Sequence, residues 1–192
     1  MKNLFFDLET TSLVPKGANY KTDFDKFPHV VQIAWDLDGV ENDFIIKPNG
    51  YEIPEESTKI HGITHDYAVK NGIDAGIVFA LFVDDAIRAD NVIGHNLYFD
   101  TSVLKANFLK LGLEMNFIDS ALDKHKRICT MVKSNKFMGL KQVGSNRPKY
   151  PSLVELYTRL FKEDFNAHNA MEDVRATKRC FFGLAERKII NI

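Results

Sequence analysis

Cysteine is scarce and long apolar runs are missing. Cys129 and Cys180 are the only two cysteines, far apart and without a CxxC pair. No disulfide framework follows from them, and a reducing cytoplasm is the simplest expected setting. No stretch approaches the roughly 20 apolar residues of a membrane-spanning helix, so no membrane partner is expected. The amino terminus, Met1-Lys2-Asn3-Leu4-Phe5-Phe6-Asp7, meets an acid too soon to supply a signal-peptide core. Internal repeats, low-complexity tracts and long linkers are also absent. A single domain over residues 1–192 is the expected organisation. With 45% hydrophobic and 27% charged residues, the composition is that of an ordinary globule.

Net charge is nearly absent, at −1, but this conceals an asymmetry. Residues 1–100 hold 17 acids against 8 Lys/Arg, a balance of −9. Residues 124–149 hold eight Lys/Arg (Lys124, Lys126, Arg127, Lys133, Lys136, Lys141, Arg147 and Lys149) and no acid. Such a segment can face phosphates, or it can be a solvated loop that keeps the protein soluble. Charge alone does not choose.

Alternation over residues 3–9 predicts a strand with Phe5, Asp7 and Glu9 on one side and Leu4, Phe6 and Leu8 on the other. Thr11 to Pro28, with Pro15 and Gly17, reads as a long excursion. Val30–Asp36 and Val40–Lys47 read as strands joined at Asp38-Gly39, a hairpin signal. Pro48 to Gly62 is turn-rich. A helix follows around Asp74–Ala89, its stripe including Ile77, Leu81, Val83 and Ile87. Asn91–Gly94 reads as a strand, and Asp100–Leu111 as a helix with Val103, Leu104, Phe108 and Leu111 inward. Asn116–Asp119 is a further strand candidate, and Leu122–Pro148 holds several helical turns. Helices are expected over Leu153–Phe161 and Ala170–Lys188. The order implies an α/β domain built on a mixed sheet.

Three short strings carry acids whose spacing suits a divalent-metal site. Asp7 and Glu9 share one strand face and present oxygens to a hard cation. Asp100 ends the run His95-Asn96-Leu97-Tyr98-Phe99-Asp100 at the start of a helix. Asp173 falls near the inward stripe of the last helix (Ala170, Asp173, Thr177, Phe181, Leu184), and His168 sits just before it. Each has an ordinary explanation alone: a surface strand pair, a helix cap, a salt bridge, a surface histidine. Together, acids near a core are expensive unless cations or hydrogen bonds compensate them. Histidine titrates where proton transfer near neutral pH needs it.

In order, Asp7-Leu8-Glu9, the His95-to-Asp100 run and His168-to-Asp173 resemble the three motifs of the DEDDh exonuclease family. That family belongs to the RNase H-like superfamily and includes polymerase proofreading subunits and RNase T-like enzymes. Ile60-His61-Gly62-Ile63-Thr64 is similar to the family's connecting segment, although His61 also fits a loop-stabilising role. The resemblance spans residues 3–190, and the long Thr11–Pro28 excursion departs from it. It implies a mixed five-stranded sheet with helices on both faces and a 3′-to-5′ exonuclease releasing nucleoside 5′-monophosphates. Asp7, Glu9, Asp100 and Asp173 would hold two Mg²⁺ or Mn²⁺ ions, with His168 as general base. Thr10, Asn96, Leu97 and Phe99 would contact the substrate, a single-stranded or frayed nucleic acid with a free 3′ end; Tyr98 is a further stacking candidate. A DNA polymerase or a second copy of the chain is a compatible partner. An RNA 3′-end trimming enzyme and a noncatalytic nucleic-acid-binding module are the competing readings.

Overall fold

In the computed structural model, which describes residues 1–190, the alternating run near the amino terminus forms strand β1, Asn3–Thr10. The last two residues of the expected unit lie outside the described residues. Leu4, Phe6 and Leu8 enter one apolar cluster and Phe5 enters the other, so β1 is covered on both faces. Strands β2 (Val30–Leu37) and β3 (Val40–Ile45) follow as the expected antiparallel hairpin. Asp38 (φ 51°) and Gly39 (φ 93°) both take the left-handed conformation that a two-residue hairpin turn requires.

Strand β4, Asn91–Gly94, lies parallel to β1, and β5, Arg127–Cys129, lies parallel to β4. The sheet order is β3-β2-β1-β4-β5, a mixed five-stranded sheet with β1 in the middle. Eight helices accompany it among the described residues: α1 (Glu55–His61), α2 (His65–Asn71), α3 (Ala75–Arg88), α4 (Leu97–Lys110), α5 (Met115–Ala121), α6 (Thr130–Met138), α7 (Leu153–Phe161) and α8 (Ala170–Glu186). Helices α3, α4 and α5 pack over Leu4, Phe6 and Trp35 on one face. Helices α7 and α8 pack over Phe5, Ala34 and Ile93 on the other.

Several expected elements need correction. Asn116–Asp119 is not a strand but part of α5. Ile118 and Ala121, three apart, are buried while Asp119 and Ser120 between them are exposed, which is helical spacing. The fifth strand is instead the three-residue β5, too short to show a period. On α3, Val83 is buried as expected, but Ile77, Leu81 and Ile87 face solvent. Val78, Phe79, Phe82, Val83 and Ala86 are the buried positions. That stripe carries two phenylalanines and has more apolar area to bury. Leu111 lies beyond the end of α4 and is exposed. The turn-rich reading of residues 48–62 missed α1, which starts after Pro54 with Glu55 and Glu56 in its first turn and ends on left-handed Gly62. Helix α2 was also missed; Thr64 caps it by accepting from the Tyr67 amide. The Thr11–Pro28 excursion is present, with one 3-10 turn at Phe24–Lys26. Asn107 on α4 ties its end down, donating to the Pro28 carbonyl at 2.9 Å and accepting from the Val30 amide at 3.4 Å.

No helix among the described residues is long and apolar enough to cross a membrane.

Candidate active site

The carboxyl ends of β1 and β4 and the amino-terminal turns of α4 and α8 meet at one sheet edge. Asp7 and Glu9 arrive on the same face of β1, with Phe5 below them edge-on to Phe181 of α8 at 5.5 Å. The β1–β2 register slips between Glu9 and Thr10, an irregularity of the kind that re-aims side chains beside sites. Asp173 lies in the first turn of α8, whose start is capped by Asn169 accepting from the Met171 and Glu172 amides. Asp7, Glu9 and Asp173 each offer an oxygen within 4.8 Å of the others. Asp100, buried in the first turn of α4, is the fourth acid. The helix begins at Leu97, three residues before the expected start, so Asp100 is inside the turn and not its cap.

The four carboxylates repel one another in a poorly solvated place. Burial, then the charges of Asp100, Asp173 and Glu9, raise the Asp7 carboxyl well above the usual range. Burial, joined by Glu9 and Asp173, does the same to Asp100, against the pull of its own backbone amide. Glu9 is pushed up to about 7 by burial and the Asp173 charge. Asp173 is pushed up to about 6 by burial, opposed by the His168 amide. No ion pair among the described residues reaches any of the four. Asp173 Oδ1 is buried without a hydrogen-bond partner, while its Oδ2 accepts from the His168 amide at 3.3 Å. An all-oxygen donor set with an orphaned oxygen, and with no lysine or arginine ion-paired to it among the described residues, fits a hard divalent cation.

His168 is exposed, with a left-handed backbone (φ 71°), and lines a cleft with Glu9, Thr10, Leu13, Ile60, His61 and Phe99. Thr10 donates its hydroxyl to the Ser12 carbonyl at 2.8 Å. Asn96 (φ 66°) and the exposed Tyr98 border an adjoining pocket with Phe99. Leu97 departs from its expected place: it is 3% exposed and packs in the core beneath Gly94. Two apolar side chains not anticipated there, Leu13 at 82% and Ile60 at 59% exposure, form the cleft rim. Their signal was an apolar residue inside an otherwise polar stretch. His61 Nδ1 accepts from the Ile63 amide at 3.1 Å, which is the loop-stabilising role.

Gln32 was also missed. It is the one polar side chain in Val30-Val31-Gln32-Ile33-Ala34-Trp35 and pairs with Glu9 across the strands. Buried, it accepts from the Ala170 amide at 3.3 Å and donates to Asp43 at 2.6 Å. It therefore fastens the start of α8, and with it His168 and Asp173, to the strand beside Glu9.

A family model described as exonuclease matches residues 4–181. Among solved structures, the zinc-bound complex of Escherichia coli exonuclease I with ssDNA superposes with a TM-score of 0.72 at 23% identity, over 97% of this chain and 41% of that one. A moderately thermophilic exonuclease I from Methylocaldum szegediense gives 0.72 at 20% identity, over 97% and 41%. The E. coli enzyme with a dA16 oligonucleotide gives 0.67 at 19% identity, over 98% and 42%. The chain thus spans less than half the length of these proteins, and at such identities the likeness is one of fold. No curated protein sequence matches it.

Proposed function

The chain belongs to the exonuclease family, and from that premise we propose that it is a DEDDh-type 3′-to-5′ exonuclease of single-stranded or frayed DNA. In this reading the residues form one catalytic unit. The convergence of Asp7, Glu9, Asp100 and Asp173 from β1, α4 and α8, with His168 at the mouth of the same cleft, carries the proposal.

The four acids would hold two divalent cations, Mg²⁺ or Mn²⁺, and the donor chemistry described above fits them. Bound cations would neutralise the phosphoryl oxygens and make water more acidic. His168, free at the cleft mouth, takes a proton from the attacking water. The water oxygen bonds to the terminal phosphorus while the P–O3′ bond breaks. The shortened strand keeps its 3′-oxygen, which is protonated from solvent, and the last nucleotide leaves as a 5′-monophosphate. Phe99, Leu13 and Ile60 offer an apolar seat for the terminal base, and stacking of this kind favours an unpaired end. Thr10 and Asn96 border that seat and orient the sugar.

Matched 3′-labelled and 5′-labelled single-stranded DNA, single-stranded RNA and mismatched duplex test the assignment together. Expected are mononucleotides from the 3′ end of DNA with Mg²⁺ or Mn²⁺, faster on unpaired ends. Faster release from RNA would make it an RNA-trimming enzyme. End binding without mononucleotide release in either metal would make it a noncatalytic binding module.

A further inference from the structure

The basic stretch found in the sequence projects from the molecule as an arm. Left-handed Gly139 closes α6, and the chain then folds back on itself through Gln142 N–Arg147 O and Lys149 N–Leu140 O hydrogen bonds, both 2.9 Å. Residues 141–150 are exposed throughout, and Val143, near the tip, touches nothing that shields it. The arm carries Lys141, Arg147 and Lys149, and the neighbouring α6 presents Lys133 and Lys136, three apart on one exposed side. Lys149 is partly neutralised by Glu155 at 2.6 Å. Among the described residues, Lys133, Lys136, Lys141 and Arg147 form no ion pair. A projecting loop, closed by one antiparallel bridge between Lys141 and Pro148, that buries almost nothing and concentrates like charge gains little from folding for itself.

Its root is fixed beside the catalytic edge. His95 is held between the Thr130 hydroxyl at 2.9 Å and the Pro151 carbonyl at 3.0 Å. Thr130 opens α6 and Pro151 ends the arm, while His95 lies five residues before Asp100 in the same run. Burial holds the His95 imidazole down at about 4, so it stays neutral and keeps this arrangement over the physiological range.

We infer that the 139–150 arm, with the exposed side of α6, holds the phosphate backbone of the substrate strand upstream of the scissile linkage. The inference rests on the exonuclease reading and extends it. The acidic site tolerates phosphate only at the linkage it cleaves, and the rest of the strand needs cations beside that edge. The sugar-phosphate backbone supplies evenly spaced charge without requiring a base sequence.

The test uses K141A/R147A, with K141R/R147K as the charge-preserving control. Binding of a 20-mer oligo-dT is measured in EDTA across a salt series, and turnover is measured on the 20-mer and on a dinucleotide. Loss of two phosphate contacts lowers the slope of log K against log salt by about 1.4, at about 0.7 per contact for a single strand. On the 20-mer, KM is expected to rise about tenfold with kcat unchanged, an order-of-magnitude figure for two lost backbone contacts. Dinucleotide kinetics and the control should match wild type. An unchanged salt slope and KM would overturn the arm's role and leave the charge for an acidic protein partner. A fall in kcat on the dinucleotide would also overturn it. Because binding is read without metal, absence of hydrolysis by the wild-type chain would sink the exonuclease reading without touching this test.

Discussion

The acidic cluster should make the metal-free protein less stable than it would be with one acid neutralised. Glu9 is the cleanest place to look. Its carboxyl is pushed from 4.5 up to about 7 by burial and by Asp173. The folded state therefore holds the Glu9 proton more tightly than the unfolded chain does. The associated stability is complete below pH 4.5 and is lost as pH rises through 7. A shift of that size corresponds to about 3 kcal/mol at pH 8, taking roughly 1.4 kcal/mol per pH unit. E9Q removes the ionisation and keeps the shape, so in EDTA at pH 8 it should gain up to that amount. For a chain of this length the gain is a melting temperature raised by about 6–12 °C. At pH 4 the advantage should vanish, because both proteins are then neutral at that position. Saturating Mg²⁺ should raise the wild-type melting temperature more than that of E9Q, while E9Q loses turnover. Calorimetry at the two pH values, with and without metal, reads the melting shifts, and the mononucleotide-release assay reads the turnover. An E9Q protein that melts no higher than wild type at pH 8 in EDTA, or whose advantage persists at pH 4, would refute the repulsion argument.

Three further outcomes follow from the same geometry. H168A should lower kcat by about 10²–10⁴-fold with substrate affinity measured in EDTA unchanged, since general-base loss acts on the chemical step; an equal loss of binding would count against the assignment. Q32M keeps the side-chain volume but removes the bonds to Ala170 and Asp43, and should weaken activity or Mn²⁺ affinity by about 10–100-fold, the range for groups that orient ligands; a drop in melting temperature with unaltered metal titration would mean that Gln32 is only structural. N107A strands the Pro28 carbonyl and the Val30 amide in the core and should cost about 2–4 kcal/mol in urea unfolding; a loss under 1 kcal/mol would show that the excursion is anchored elsewhere.

The sheet was largely legible because its first three strands are long enough to show their period. The Asp38-Gly39 turn fixes the hairpin, and the alternation of Leu4 through Glu9 fixes which side the acids occupy. Short elements were not legible for the converse reason. Arg127–Cys129 is a strand only because β4 lies beside it. Asn116–Asp119 holds too few residues to separate a strand from a helical turn. On α3 the expected stripe of Ile77, Leu81, Val83 and Ile87 steps by four, two and four residues, while the buried one, Val78, Phe79, Phe82, Val83 and Ala86, repeats at three and four. What decides is which side meets Phe6 and Trp35, and Phe82 packs tilted on the first and edge-on to the second. That partner surface is absent from any local window.

The same distinction separates the acids from the groups that aim them. Asp7-Leu8-Glu9 or His168-to-Asp173 fits within six residues, so local spacing carries the chemistry of each fragment. Gln32 and Ala170 are 138 positions apart, and His95 and Pro151 are 56 apart. Neither pair has a spacing rule, because the hydrogen bond exists only after α8 has docked on β2 or the arm has returned to β4. A polar residue within an apolar strand does mark such a position, since burying an amide without partners costs on the order of 1–3 kcal/mol. Gln32 in Val30–Trp35 is that case: the sequence shows that a partner must exist, and only the fold shows that the partner is the helix carrying Asp173.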